Sequence, residues 1–406
     1  MKHFVFLQGM PSPFFSRIGE VLQQRGHRVT GICLSMGDWL FWRGLPKVNY
    51  RGSLRHWPMF LRRFCLEQQV TDVVLLGEQR RYHKQAVAVA HELGVRVTVT
   101  DFGYLRPDWI TLERDGMSAN SQFPRDPATI RMLASGLPDV DLTVKYRDNA
   151  GHMARGDLLY SFSNVFLGWL WPHYRRSDNR PPSLLYFPVI GLRLLRAALK
   201  RSDAARQMRQ IIGSGDHFFL FPMQLEHDFQ LVSYSDFDSV LEAIWLVMCS
   251  FSRHSRTKDL LVFKVHPWDP GLVRWKHEIS LMAQELGLTQ RIIYLDGGNL
   301  DDLILHSAGM VTVNSTSGLQ AIRLGCPVTV LGQAIYDVPG LTWQNGLDSF
   351  WQQAQAPDAG LVRDYLAAMT ATIQIRGVYF DEPGLSAAVE ASAERLHEGT
   401  VGMRRP

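Results

Sequence analysis

Apolar residues along this chain recur in two alternating rhythms. Short runs at residues 3–9, 25–34, 71–78 and 95–103 read as buried strands, and each ends near a glycine or a polar turn. Between them, residues 14–24 and 83–94 carry apolar positions at helical spacing, the second stopping at Gly94. This strand–helix alternation predicts a parallel sheet with helices on both faces. From about residue 117 the rhythm breaks into a Pro-, Arg- and aromatic-rich stretch. It returns at residue 217. Strands are expected in 259–267, 291–298 and 327–332, and strands running into loops in 217–228 and 310–318, with helices at 237–251, 275–287, 300–309 and 319–325. The final stretch from about Leu361 reads as helical.

The predicted fold class is therefore α/β, with two Rossmann-like domains. The expected division is 1–125 for an N-terminal Rossmann-like domain and 126–210 for a mostly helical insertion. Residues 211–360 would form a second Rossmann-like domain, and 361–406 C-terminal helices that pack back. A chain of 406 residues is long enough for two domains of roughly 150–200 residues each.

Composition narrows the class. With 46% hydrophobic and 20% charged residues the chain folds as a globular protein. A net charge of +4 suits an anionic substrate or membrane surface, but the dense basic runs of a nucleic-acid binder are missing. The four scattered cysteines form no CxxC pair, which argues against zinc and for the cytoplasm. The opening apolar run is broken at Gln8 and Gly9, so it reads as a first strand and not as a signal peptide. No run reaches the roughly 18 apolar residues of a membrane span. Trp and Tyr interleaved with Arg (Trp39, Trp42 and Arg43; Trp57, Arg62 and Arg63; Trp169, Trp171, Tyr174 and Arg175; Arg193, Arg196, Lys200 and Arg201) suit either a membrane interface or a core with a basic rim.

Three constellations carry candidate chemistry. Lys264, Val265, His266 and Pro267 follow one strand; Asn314, Ser315, Thr316, Ser317 and Gly318 follow another and open a helix. In open α/β sheets the C-terminal strand edge holds the ligand. A helix start rich in hydroxyls and N–H groups binds phosphate, with His266 as a further donor and Lys264 as charge. A satisfied turn histidine and a plain N-cap are the alternatives. Next, Glu226, His227 and Asp228 follow Gln224 and Leu225; two carboxylates beside a histidine suit a nucleophile and a general acid or base, or a solvated loop. Last, Asp101, Phe102, Gly103, Tyr104, Leu105 and Arg106 run on to Glu113. Arg106 suits a carboxylate or phosphate clamp, and Asp101 or Glu113 a proton acceptor, unless the segment is a structural Asp/Arg turn. Asp236 and Asp238 resemble a metal-binding DxD but sit where helix caps are expected. Asp101-Phe102-Gly103 lacks the companion motifs of a kinase. GxGxxG, GxxxxGK[ST] and GxSxG are all missing.

These segments together resemble the capsule polysaccharide biosynthesis family, specifically its β-Kdo transferases. The matching pieces are the opening FLQG with PFF, DFGYLRPDWITLE with GMSANS, PMQLEHDFQ, KVHP, NSTSGLQAIRLGCPV and YDVPGLT, spread from residue 4 to about 343. One acidic residue, Asp101, stands where the resemblance leads one to expect two. The resemblance implies a GT-B-like fold whose two domains face a cleft, with 1–125 as the acceptor side and 211–360 as the nucleotide-sugar side, and a cytoplasmic-face enzyme that moves β-Kdo from CMP-Kdo to a phosphatidylglycerol-type lipid with retention of configuration. Retention asks for an enzyme carboxylate that forms a transient adduct, which the resemblance places at Asp228. His266 and residues 314–318 would hold the CMP phosphate, Arg106 the acceptor phosphate or sugar carboxylate, and Glu113 would serve as a base. No metal cofactor is required by this reading. Expected partners are the nucleotide-sugar donor, the lipid acceptor, the inner-membrane surface and other capsule synthesis or export proteins. The rival readings are a different nucleotide-sugar transferase or epimerase of the same fold, and a non-catalytic component of a capsule complex.

Overall fold

The computed structural model describes residues 1–176, 182–199, 201–226, 231 and 234–404. It divides into two compact units. The first comprises residues 1–123, 136–179 and 366–406, and the second 124–135 and 180–365. The expected insertion at 126–210 is thus shared between the two units, and residues from 366 onward belong with the N-terminal ones.

In the first unit, β1 (His3–Phe6), β2 (Arg28–Cys33), β3 (Lys47–Asn49), β4 (Asp72–Leu76) and β5 (Arg96–Phe102) are parallel, and β6 (Trp109–Arg114) is antiparallel to β5. Helices α1 (Phe14–Gln24), α2 (Met36–Phe41), α3 (Trp57–Glu67) and α4 (Arg81–Glu92) connect them. The spacing of Phe14, Phe15, Ile18 and Leu22 puts all four on one buried face of α1. Gly31 in β2 lets the Trp42 indole lie flat on the strand, for a Cβ there would come within 2.5 Å of the ring. Further along lie α5 (Pro127–Ala134), which belongs to the second unit, and α6 (Ala150–Leu167), which belongs to the first.

The second unit also holds α7 (Ser183–Leu199) and α8 (Arg201–Gly213). Then come β7 (Phe218–Pro222), α9 (Val240–His254), β8 (Leu260–Lys264), α10 (Trp275–Glu285), β9 (Ile292–Leu295), α11 (Leu300–His306), β10 (Gly309–Thr312), α12 (Thr316–Arg323), β11 (Val328–Val330) and α13 (Leu347–Gln353). The strand order β11-β10-β7-β8-β9 is wholly parallel. Phe219, Phe221, Val247, Phe251, Phe350 and Trp351 fill its core.

The chain then runs through α14 (Ala359–Thr372), β12 (Gln374–Arg376) and α15 (Gly384–Glu398). The expectation of an all-helical tail is corrected here. β12 pairs antiparallel with β6 and completes the first sheet in the order β12-β6-β5-β4-β1-β2-β3. Leu385, Val389 and Leu396 of α15 share the core of Phe14 and Ile18. β12 is fixed by Arg376, whose Nε donates to the buried Asp108 carboxylate at 2.9 Å.

Both sheets are doubly wound. In the first, the chain lays β2 and β3 on one side of β1 and then returns to place β4 and β5 on the other. In the second, β8 and β9 lie on one side of β7, and β10 and β11 on the other. Each unit therefore has a switch point, between β1 and β4 and between β7 and β10, where diverging loops open a crevice at the C-terminal edge. Among the described residues no helix is long and apolar enough to cross a membrane.

Candidate functional sites at the two sheet edges

The switch point of the second unit is closed by a clasp of two amides. Gln224, just beyond β7, donates from Nε2 to Asn314 Oδ1 at 2.9 Å, and the Asn314 backbone N–H returns a bond to Gln224 Oε1 at 3.3 Å. Asn314 Nδ2 also donates to the Tyr234 carbonyl at 3.2 Å. Both side chains are buried, so this small network fixes the two loops against each other.

The helix start beyond Asn314 is already partly satisfied. Ser315 caps α12, its Oγ accepting from Ser317 N at 3.3 Å, and the Ser315 carbonyl accepts from Gly318 N and from the Tyr336 hydroxyl. Gly318 is needed because a Cβ there would lie 2.3 Å from Tyr336 Oη. Ser317 and Gly318 are buried and shape the turn. Thr316 differs: its N–H and hydroxyl have no partner among the described residues, and it is half-buried. Of residues 314–318, expected to hold a phosphate, Thr316 is thus the one whose N–H and hydroxyl both lack a partner among the described residues.

Lys264 ends β8, next to β7. It is 6% exposed. Burial pulls its pKa down, while Asp296 pulls the other way. Its ammonium has no hydrogen-bond partner among the described residues. His266 accepts at Nδ1 from Trp268 N at 3.1 Å, which in the neutral ring leaves the proton on Nε2 and makes that atom a donor. Pro267 is exposed. Sequence reading passed over Asp269, the buried residue that locks this turn by accepting from Gly271 N at 2.7 Å and from the Trp275 indole at 3.0 Å. The Lys264 loop and the Asn314 loop are not on adjacent strands. β7 lies between them, a separation of about 10 Å at the sheet.

Of the expected carboxylates after β7, Asp228 lies outside the described residues, as does His227. Glu226 is half-buried; burial raises its pKa, and its Oε2 accepts from Val240 N, the first residue of α9, at 3.3 Å. That bond ties the loop to a helix start, where negative charge is favoured. Asp236 and Asp238 do not cap α9. The cap is Ser239, paired with Glu242.

The first unit's edge gathers a different set. Gln8, beyond β1, is buried and donates to Asp38 and to the hydroxyls of Tyr160 and Tyr174. Asp38 also accepts from Tyr160 Oη at 2.9 Å and Leu34 N at 3.0 Å. Burial raises its pKa to about 6, and these donors hold it from rising further. Arg80, after β4, lies close enough to Asp101, Tyr160 and Tyr174 to influence their ionisation, yet its guanidinium has no hydrogen-bond or ion-pair partner among the described residues. Sequence reading missed Gln8, Asp38, Arg80 and Tyr160. The capping pattern of Ser35 and Asp38, in which Ser35 Oγ accepts from Asp38 N at 3.3 Å, was a legible signal for the second alone.

Asp101 lies one residue before the end of β5 at this same edge, its pKa raised by burial against the pull of Arg80 and Arg106. Arg106 is exposed and stacks over the Phe102 ring at 4.8 Å. Glu113 is 1% exposed. It accepts from Tyr104 Oη at 2.8 Å and from Ser121, and burial drives its pKa up to about 8. Glu113, expected as a base, is therefore buried with both oxygens engaged, and it ties Tyr104 to Ser121. The aromatic stripes are corrected in part. Trp42, Trp57 and Trp171 are core residues, whereas Trp169 is 72% exposed. Lys200 lies outside the described residues.

Two doubly wound sheets, one wholly parallel and one with two antiparallel strands at an edge, each with polar groups gathered at its switch point, define a two-unit Rossmann-like protein. The chain belongs to the capsule polysaccharide biosynthesis protein family, whose profile matches residues 71–380. It is 29% identical over 386 residues to the capsule polysaccharide export protein KpsS of Escherichia coli, covering 93% of this chain and 97% of that one. It is also 29% identical over 388 residues to the capsule polysaccharide modification protein LipB of Neisseria meningitidis serogroup B, covering 94% and 92%. Among solved structures, the β-Kdo 2,7 transferase KpsC of Thermosulfurimonas dismutans aligns with 98% of this chain and 99% of that one, at 14% identity and a TM-score of 0.46.

Proposed function

We propose that this chain is a retaining glycosyltransferase of capsule biosynthesis. Its donor is CMP-Kdo, and it delivers β-Kdo to a (lyso)phosphatidylglycerol-type lipid at the inner-membrane surface, alongside other capsule synthesis and export proteins. The observation that carries the reading is Lys264, a buried ammonium without a hydrogen-bond partner among the described residues at the edge of a doubly wound sheet. A buried charge is costly unless an opposite charge meets it, and a donor phosphate would do so. Thr316, on the far side of the β7 loop, offers two further donors. A separation of about 10 Å suits a nucleotide better than a lone phosphate.

In this reading the leaving CMP phosphate is stabilised by Lys264, the His266 Nε2–H and Thr316, and no metal cofactor is required. Asp228 remains the proposed nucleophile. Its carboxylate attacks the anomeric carbon as CMP departs, and the acceptor hydroxyl then displaces it, so that two inversions give retention. Arg106 remains proposed for the acceptor phosphate or the sugar carboxylate, and Asp101 for the acceptor side, where it would take the proton of the attacking hydroxyl.

The test is to incubate the chain with CMP-Kdo and a lysophosphatidylglycerol analogue and to read product mass; one added Kdo per acceptor is expected. A thermal-shift panel of CMP, UDP and ADP identifies the donor, because a ligand of the native state raises the melting temperature. A shift with UDP alone would replace this reading with another transferase or an epimerase. No shift and no product would favour a non-catalytic capsule component.

A further inference from the structure

Helix α7 presents two unlike faces. Ser183 and Tyr186 are buried, and Arg193 is held in an ion pair with Asp296, so this side seats the helix on the second unit. On the other side Leu184, Leu185, Leu192, Leu195 and Leu199 are each between 49% and 75% exposed. At 100° per residue their side chains fall within an arc of about 100°, one continuous stripe. Pro188 lies in the same arc and is exposed.

Beside the stripe is a basic basin. Arg193 and Arg196 of α7 line it together with Arg274, Lys276 and His277 at the start of α10. Arg196, Arg274, Lys276 and His277 are exposed, and Asp296, the one carboxylate in the lining, is already paired with Arg193. Arg196 lies next to Leu192 and Leu199 on the helix surface. Leu272, 51% exposed, adds an apolar group beside Gly271 of the lining.

We infer that α7 is a membrane-docking helix whose occupant is the surface of an anionic phospholipid bilayer. The leucine stripe enters the headgroup–acyl boundary while the basin meets lipid phosphates. Apolar residues on one helical face with cations along its flank are the physical requirement for lying in such an interface, and binding grows with buried apolar area and with anionic charge. Charge complementarity selects this occupant over a second copy of the chain, because an isologous contact through the same face would set the basin's cations against each other. The inference rests on the peripheral-membrane part of the proposed function and adds the element responsible. It is independent of the donor chemistry.

The experiment is flotation of the full chain with vesicles of phosphatidylcholine alone or mixed with phosphatidylglycerol. The wild type should float with the mixed vesicles, more weakly with phosphatidylcholine and more weakly at high salt. Leu192→Glu with Leu195→Glu should lower the affinity by about tenfold or more, and Arg196→Glu with Lys276→Glu should abolish the preference for phosphatidylglycerol. CMP binding by calorimetry should be the same in all three proteins, which shows that each is folded and keeps the donor question separate. Leucine variants that float like the wild type would overturn the assignment to α7. A wild type that stays with neither vesicle would overturn the peripheral-membrane reading as well, whatever the CMP result. A concentration-dependent dimer that the leucine variants abolish would assign the stripe to a second copy and overturn the inference.

Discussion

Asn314→Asp alters a single atom of the second unit's clasp, and its effect can be worked out with its sign. Asn314 is 6% exposed; its Oδ1 accepts from Gln224 and its Nδ2 donates to the Tyr234 carbonyl at 3.2 Å. An ionised aspartate keeps the first bond but turns an oxygen toward the second carbonyl. That oxygen–oxygen contact leaves the carbonyl without this donor, at about 1–3 kcal/mol, and the charge itself is poorly solvated. The protonated acid donates to the carbonyl and restores the pattern. The folded-state pKa of the introduced carboxyl group therefore rises above the unfolded value of about 3.9, by ~2–3 units for burial with an adverse hydrogen-bond partner.

A raised folded pKa means that the native state binds the proton more tightly. The variant's penalty is then negligible below about pH 4, grows as pH rises, and is complete above the folded pKa. At about 1.36 kcal/mol per unit, the loss relative to wild type is ~1–2 kcal/mol at pH 5 and ~3–4 kcal/mol at pH 8. Urea denaturation of both proteins at the two pH values, at fixed ionic strength, measures it. Equal losses at both pH values would refute the reasoning, because the second oxygen would then have found a donor and the clasp would not be built as described. Because the clasp positions the α12 helix start, CMP affinity in the variant should fall in parallel, more at pH 8 than at pH 5.

Four other substitutions probe the remaining parts. Lys264→Met should stabilise the protein by about 1 kcal/mol, by removing a buried ammonium that has no hydrogen-bond partner among the described residues, while weakening CMP binding by roughly tenfold or more; calorimetry and urea titration read the two effects separately, and a loss of both together would contradict the assignment. Gly318→Ala drives a methyl into Tyr336 and should cost about 1–3 kcal/mol of stability, seen as a lower urea midpoint; a neutral effect would mean that the turn is looser than 2.3 Å implies. Tyr160→Phe removes a donor to the ionised Asp38, so that the Asp38 pKa rises above about 6 and the stability lost, about 1–2 kcal/mol, is larger at pH 8 than at pH 5; a pH-independent loss would count against it. Arg376→Ala leaves the buried Asp108 carboxylate without its guanidinium and should cost about 3–5 kcal/mol by the same urea assay; a loss under about 1 kcal/mol would show that the Lys145 and Tyr146 backbone N–H groups suffice.

Most strands and helices were legible because they repeat one physical pattern, a short apolar run followed by an amphipathic helix. Helices α2 and α3 escaped, and so did β3, β6 and β12, the strands at or near one edge or the other of the first sheet. β3 and β12 have three residues each, too few for a period to show. β6 returns antiparallel through a tight turn in which Gly103 N donates to the Trp109 carbonyl at 2.8 Å, a connection that the strand–helix rhythm does not signal. The candidate site was legible only strand by strand. Residues 264–267 and 314–318 follow apolar runs, and that alone puts them on the C-terminal edge. Which loops become neighbours depends on strand order, and the return of the chain from β9 to place β10 beside β7 leaves no local mark. Gln224 therefore meets Asn314 across 90 residues, and Asp38 meets Tyr160 across 122.

Strand order also bears on the two cations, Lys264 and Arg80, that have no hydrogen-bond partner among the described residues. Selection for stability alone would pair the buried Lys264 or replace it with an apolar side chain of similar volume, since isolated buried charge is destabilising. Lys264 instead ends β8, beside the β7 strand of its switch point, and the half-buried Arg80 lies in the loop after β4, the strand that forms the other. Neighbouring polar groups are tied down with care: Asp269 locks the turn after Lys264, and Gln8 with Tyr160 holds Asp38. Local packing that satisfies the surrounding groups, while these two cations keep no partner among the described residues, is what the proposed binding of an anionic ligand at the expense of some stability would require. Two outcomes must then hold together: an anion that binds the second unit through Lys264 raises the wild-type melting temperature and loses that effect in Lys264→Met, while Arg80→Met leaves it intact. If the Lys264 variant retained the full shift, the open ammonium would be an unexplained defect of the fold, and the donor site would have to be sought elsewhere.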